Sequence, residues 1–261
     1  MTGAGPLTHW EGEPVAHWRA CWGVPELHIY RSTSSTSDRV RERAAAGAPA
    51  GTTAIAEYQT EGRGRLGRSW QAAEGQALLL SVLLRPAAAG DAGDAGVLPL
   101  RVGLALADAI EDLTGQGAGL KWPNDVTLDG RKVAGVLCEA GAEGIVVGVG
   151  VNVGQQEADF PADLRSQATS LALAAGVPPA RSALAGLLLA RLAPLFGAGH
   201  RRLDPGELSR YAARDALAGH PVSVDNVPAG TAAGLTATGA LVVDAAGGRR
   251  LVHAGTVRRL P

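Results

Sequence analysis

Residues 61–70 read EGRGRLGRSW, three arginines set among three glycines and closed by a tryptophan. Glycine, lacking a Cβ, lets a backbone come close to a ligand, while the planar guanidinium of arginine grips a carboxylate or phosphate through paired hydrogen bonds. An anionic small molecule is one reading of this loop. An RNA-binding arginine–glycine segment and a plain solvated loop are the others. A second candidate is KWPND at 121–125, where a proline stiffens a turn between a lysine and an Asn/Asp pair and so aims a cation, against the alternative of a solvated lysine. Lys132 and Gly135 in RKVAGV stand beside a hairpin.

GVGVNV at 148–153 has glycines at alternate positions, which strips one face of a strand for a ligand or for another backbone. Asn152 sits there among apolar neighbours and needs a partner if it is buried. The run closes a strand without the spacing or the following helix of a dinucleotide fingerprint. The hydroxyls of STSST at 32–36 either cap a helix or hydrogen-bond a polar head group. No Ser/His/Asp or Cys/His constellation is evident. Cys21 and Cys138 have neither metal-ligand nor disulfide spacing, and Cys138, in KVAGVLCE, reads as a buried, inert thiol.

The elements that must carry these residues follow from pattern. LHIY is a short strand, and a Ser/Thr-rich turn then caps a helix that Gly47 ends. GTTAIAEYQ is a strand, and QALLLSVLLR is a strand buried on both faces, with the Gly/Arg loop between them. After a Gly/Asp/Ala loop, residues 97–113 form a helix that turns Leu100, Leu104 and Ile110 to a core. GLKW, VTLDGRKVAGVLCE with a turn at Asp129-Gly130, and GIVVGVGVNV are strands. Helices occupy 181–196 and 205–217, and from His220 onward short strands split by Gly, Pro and Asp read as a small all-β barrel. Residues 1–26 carry Trp10, Trp18 and Trp22 in an irregular segment that packs on the main body. The fold class is α+β.

At 261 residues one large domain, or a main domain with a small companion, is predicted. Twenty-four basic against 25 acidic residues give a net charge of −1, which argues against nucleic-acid binding through bulk electrostatics. The longest apolar region, 171–196, is interrupted by Pro178, Pro179, Arg181 and Arg191, which excludes a membrane span. With no basic stretch ahead of an apolar one at the N-terminus, a cytoplasmic protein is expected.

Taken in order, STS, AEYQTEGRGRLGRSW, KWPNDV, RKVAGVLCE and GVGVNV, followed by the small β module, resemble the biotin–protein ligases from about residue 27 to the end. The resemblance implies a mixed-sheet catalytic domain of the biotin/lipoate ligase type over 27–216. It further implies a C-terminal SH3-like β-barrel over 217–261, with 1–26 as an extension. Members of that family make biotinyl-5′-AMP from biotin and ATP with Mg²⁺. They then pass the biotinyl group to one lysine of a biotin carboxyl carrier domain of an acyl-CoA carboxylase. Carried over to this chain, Ser32, Thr33, Ser34 and Gln59 would surround biotin, and Arg63, Gly64 and Arg65 would close over biotin and adenylate. Arg68 and Trp70 would order the nucleotide end of that loop. Lys121 would meet the biotin carboxylate and α-phosphate, with Asn124, Lys132 and Asn152 near the nucleotide; the Mg²⁺ ligands are not implied.

Lys121, Arg63 and Arg65 are thus the expected catalytic cations, since attack of a carboxylate on an α-phosphate brings anions together. The loop is expected to be mobile when empty and to order on ligand. Ser34 departs from the family, in which many members have Asn. The DNA-binding domain of bifunctional members is missing, so an enzyme without DNA partner or repressor activity is expected, as a monomer or ligand-linked homodimer. The rival within the superfamily is a lipoate or octanoate ligase or transferase; the transferase needs a nucleophilic cysteine, for which Cys138 has the wrong setting.

Overall fold

A computed structural model describes residues 5–85, 96–197 and 201–260; the Gly/Asp/Ala loop expected after Arg85 lies almost wholly outside them. The run ALLLSVLL forms β5 (Ala77–Leu84), and all eight of its residues are buried. It needs cover on both faces because apolar side chains alternate across a strand. Leu78, Leu80, Val82 and Leu84 join the large core on one face, whereas Leu83 packs with Val40, Ala44 and Val146 on the other.

Six strands complete the sheet around it: β3 (Leu27–Thr33), β4 (Thr53–Gln59), β6 (Gly119–Lys121), β7 (Asp125–Leu128), β8 (Arg131–Gly141) and β9 (Gly144–Asn152). Their order is β3-β4-β5-β9-β8-β7-β6, with β3 and β4 parallel and the other neighbours antiparallel. A parallel pair needs a crossover, supplied by α2 (Thr36–Ala45). Ser35 caps that helix, its Oγ accepting from the Ser37 N–H. The β7–β8 turn is made by Asp129 and Gly130, both at positive φ (49° and 73°), the two-residue geometry that matches strand twist.

Helix α2 covers one face of the sheet. On the other lie α3 (Leu98–Thr114) and α5 (Arg181–Leu192), with Leu100, Leu104 and Ile110 buried as the spacing predicts. A short helix, α4 (Leu171–Ala175), follows an N-cap at Ser170.

The N-terminal segment differs from its irregular reading. His9–Trp10 (β1) and Glu13–Pro14 (β2) pair as a hairpin and lead into α1 (Val15–Trp22). Two-residue strands and a helix without a side-chain cap leave no periodic signature. The tryptophans do pack on the main body. Trp10 is buried, with its indole N–H donating to Glu57 and the Arg181 guanidinium 5.3 Å over its ring. The Trp22 indole fills the space at Gly186, where a Cβ would lie 2.8 Å from its Nε1.

Helix α6 (Pro205–Ala212) starts in a capping box of Asp204 and Glu207 and ends before 217, because residues 214–216 instead hydrogen-bond the backbone of Leu120. Five antiparallel strands follow: β10 (Pro221–Val224), β11 (Val227–Leu235), β12 (Leu241–Ala245), β13 (Gly248–Val252) and β14 (Val257–Arg259). Their order, β13-β12-β11-β10-β14, leaves β13 and β14 as edges, so this is an open sheet rather than a closed barrel. The Trp122 indole N–H donates to the Gly239 carbonyl at 2.9 Å and ties the two sheets together.

Candidate functional site

Register aligns one row of side chains across the face that α2 covers. Leu79 opposes Gly150, Gly150 opposes Gly135, Gly135 opposes Asp125, and Asp125 opposes Lys121. Opposed residues share a face, so the row runs from an apolar wall, over two glycines, to a carboxylate and a lysine. Trp70 lies on the glycines. A Cβ at Gly150 would sit 2.6 Å from its indole, and one at Gly135 would sit 3.2 Å away. The glycines that strip the strand therefore make room for this chain's own ring. The indole Nε1 is buried and has no hydrogen-bond partner among the described residues, an open donor inside the site.

The Gly/Arg loop reaches that point as a tight ribbon. Trp70 N–H donates to the Gly62 carbonyl at 2.9 Å, and Gly64 N–H donates to the Arg68 carbonyl at 2.7 Å. The ribbon needs glycine at 62, where a Cβ would lie 2.4 Å from the Trp70 carbonyl oxygen. Its tip, a 3₁₀ turn at Arg65–Gly67, exposes Leu66 at a φ of 57°.

Behind Trp70 the N-terminus of α2 carries a knot of hydroxyls. The Thr36 N–H and Oγ1 both donate to Gln59 Oε1, at 2.7 and 2.9 Å. Ser81 Oγ lies 2.8 Å from Thr36 Oγ1 and 3.1 Å from Ser37 Oγ. Sequence reading reached Gln59, and Thr36 as one of the STSST hydroxyls, but not Ser37 or Ser81. The signal for Ser81 was there: it is the single polar residue in an otherwise apolar buried strand. Among the residues expected around biotin, Ser32 is exposed, Thr33 is buried, and Ser34 Oγ donates to Asp38 Oδ2 at 3.4 Å.

The cations divide into those held in an ion pair and those without one among the described residues. Arg63 grips Asp38 through both terminal nitrogens, at 3.0 and 2.7 Å, and its Nε stands 3.7 Å from Glu139. Its charge is therefore shared rather than free. Lys132 is held by Asp125 at 2.6 Å, with its Nζ 5.5 Å over the Trp70 ring. Among the described residues Arg65 reaches only the neutral Asn124 Oδ1, at 3.4 Å; burial and the nearby Arg68 lower its pKa from the ordinary value, and Asp125 opposes them. Lys121 has no ion-pair partner among the described residues. Burial lowers its pKa, Asp125 opposes that, and Lys132, Arg258 and Arg68 add to it. A half-buried lysine facing three further cations marks a place where an anion is missing. Arg258, on the edge strand β14, was not anticipated from sequence. A cavity of about 350 Å³ opens beside Lys121, lined also by Asp129, Asp215, His220 and Arg259.

Two expected nucleotide residues are occupied by the fold. Asn124 Nδ2 donates to the Val136 carbonyl at 2.7 Å, which leaves its Oδ1 to Arg65. Asn152 is buried, donating to the Thr169 carbonyl at 2.9 Å and accepting from Gln155 at 3.1 Å, so both ends of its amide are satisfied inside. Cys138 is half-buried, and burial pushes its thiol well above the ordinary value, opposite to what a nucleophilic thiolate requires. Among the described residues no three His, Cys, Asp or Glu side chains gather as a metal site, and Asp125 is already engaged by Lys132. The described residues do not by themselves build a cage for Mg²⁺.

Residues 29–156 match the biotin/lipoate A/B protein ligase family, and the chain belongs to that family. It is 36% identical over 251 residues to the biotin–[acetyl-CoA-carboxylase] ligase of Mycobacterium tuberculosis, covering 91% of this chain and 90% of that one. The fold superposes with a TM-score of 0.80 and 29% identity on the biotin protein ligase from Aquifex aeolicus in complex with biotin and ATP, over 90% of this chain and all of that one. It is also 40% identical over 148 residues to the bifunctional ligase/repressor BirA of Bacillus subtilis, a match over 55% of this chain that spans only 45% of that protein's length.

Proposed function

We propose that the chain is an ATP-dependent biotin–protein ligase. It would form biotinyl-5′-AMP and transfer the biotinyl group to a lysine of the carrier domain of an acyl-CoA carboxylase. The observation that carries this reading is the row from Leu79 over Gly150 and Gly135 to Lys121. It sets an apolar floor, covered at its glycines by Trp70, beside a lysine with no ion-pair partner among the described residues, as a neutral bicycle bearing one carboxylate requires. The buried hydroxyls at the cradle's inner end, with Ser32, Thr33 and Ser34 at its rim, suit a ureido group. Lys121 and Arg65 meet charge as the carboxylate oxygen bonds to the α-phosphorus and the bond to the pyrophosphate oxygen breaks. Arg68, Lys132 and Asn124 flank the nucleotide, Asn152 supports the strand beneath it, and Gly64 lets the loop close. Mg²⁺, if the reaction uses it, would be brought by the nucleotide and would neutralise part of its phosphate charge. In transfer, a neutral lysine amine attacks the acyl carbon and AMP leaves, so positioning suffices.

Residues 27–216 would act as the catalytic domain and 217–261 as an SH3-like module left open at one seam, in a cytoplasmic enzyme that needs no DNA. Cys138, half-buried and protonated, supports a ligase over a cysteine-dependent octanoyltransferase. The test is incubation with biotin, ATP and Mg²⁺ and mass spectrometry for the adenylate and for a carrier domain gaining one biotinyl group. Parallel reactions with lipoate and octanoate address the rival. Adenylation of either in preference to biotin overturns the proposal.

A further inference from the structure

Asp38 lies outside every motif named above, yet it touches three of the segments that build the site. It is in the first turn of α2. One carboxylate oxygen accepts from Arg63 at 2.7 Å and from Arg41 at 2.6 Å; the other accepts from Arg63 at 3.0 Å and from Ser34 Oγ at 3.4 Å. Arg41 then bridges to Glu139 on β8 at 2.5 Å, the same carboxylate that Arg63 Nε approaches. Two acids and two arginines thus form a closed, charge-neutral ring across the helix, the Gly/Arg loop and the sheet.

We propose that Asp38 is a positioning residue that latches the root of the Gly/Arg loop and the turn at 32–34 onto α2. Isolated surface ion pairs contribute little, but a bidentate arginine–carboxylate pair inside a network is the exception. The four side chains here are only 26–40% exposed. Position matters as well. Arg63 is the residue just before Gly64, where the ribbon leaves the body of the protein. A guanidinium fixed there sets where Arg65, Arg68 and Trp70 arrive. Arg63 then acts through the placement of the loop, and the anion is left to Arg65 and Lys121. An acid at the start of a helix is also favourably placed against the helix dipole, so the latch costs α2 nothing.

The functional half of this inference rests on the ligase reading; the structural half does not. The experiment uses the full chain with Asp38→Asn, Arg63→Met and the double variant. Amide hydrogen exchange over 61–70 and 32–34 is measured without ligand, and the loss rate of bound biotinyl-adenylate is measured after its formation. Each single variant is expected to raise exchange in both segments and to speed adenylate loss about tenfold, the effect of a lost charge-assisted pair. Exchange in β5 should stay unchanged, which separates a released latch from a loosened core. The double variant should be no worse than either single one, because the two residues act as one unit. Unchanged loop exchange in Asp38→Asn, or single effects that multiply in the double variant, overturns the proposal. If the wild-type protein forms no adenylate, the ligase reading fails while the exchange measurement still decides the latch.

Discussion

Lys121 is where residue chemistry is most exposed to test. Its ammonium is half-buried, faces Lys132, Arg258 and Arg68, and has Asp125 as its opposing charge. On the proposed reading, Lys121→Ala should lower the adenylation rate at least about 100-fold, the scale seen when a fixed charge-stabilising group is removed. Thermal unfolding should show stability retained, since a desolvated cation is removed rather than a packed one. Pyrophosphate release at the wild-type rate would refute the role. The sign of the pH effect follows from burial. The folded-state pKa lies below the unfolded value of 10.5, so the unfolded chain binds more protons between the two, and Lys121 disfavours folding most below its folded pKa. That penalty fades as pH rises through the folded pKa, and the charge that serves the reaction fades with it. Adenylation should therefore fall on the alkaline side earlier than for an ordinary lysine, a limb to be read from kcat/KM against pH. Arg65, on the Gly/Arg loop, has no ion pair among the described residues and is hydrogen-bonded to neutral Asn124. Arg65→Gly should release adenylate about tenfold faster with melting unchanged, and equal retention in a pulse–chase of labelled adenylate would refute it.

At the scale of elements, the decisive contact is between the loop and two strands. Trp70 sits where Gly150 and Gly135 have no side chains. Gly150→Ala drives a methyl to within 2.6 Å of the indole, and overpacking of this kind costs roughly 1–3 kcal/mol. The ring is the movable partner, so it should swing off the sheet. The expected result is a rise of about tenfold or more in KM for biotin with a smaller change in kcat, and a melting temperature a few degrees lower. Steady-state kinetics check the first and calorimetry the second; a variant with wild-type KM would show that Trp70 does not cover the biotin cradle. Much at this scale was legible. The apolar and β-branched runs, the Asp129-Gly130 turn and the capped helix after STSST all formed where their patterns lie. The destination of the alternating glycines was not, because a missing Cβ records that something fits there and not what.

Across the whole molecule, the N-terminal segment is clamped by charge as well as by rings. Arg181 bonds Glu57 at 2.8 and 3.0 Å and Glu11 at 2.9 Å while lying over Trp10, and both Arg181 and Glu57 are largely buried. Breaking such a pair from one side leaves the buried Glu57 carboxylate with the Trp10 N–H but no counter-charge, at about 3–5 kcal/mol. Arg181→Ala should therefore lower the melting temperature by roughly 10 °C and expose 5–26 to protease, with the adenylation rate near wild type at 25 °C. A melting temperature within 2 °C or so of wild type would show that the tryptophans alone hold the segment. The sequence by itself determined the α+β class, the double-buried central strand, and the arginines, glycines and lysine on which the proposed site draws. These are local properties, set by side-chain period, turn chemistry and charge. Tertiary structure alone decided that Ser81 joins Thr36 and Gln59, that Arg258 joins Lys121, that Arg63 is tied to Asp38, and that Asn152 faces inward. Each of those depends on strand register and on which element crosses which, and pairings between residues up to 137 positions apart leave no trace in the local pattern.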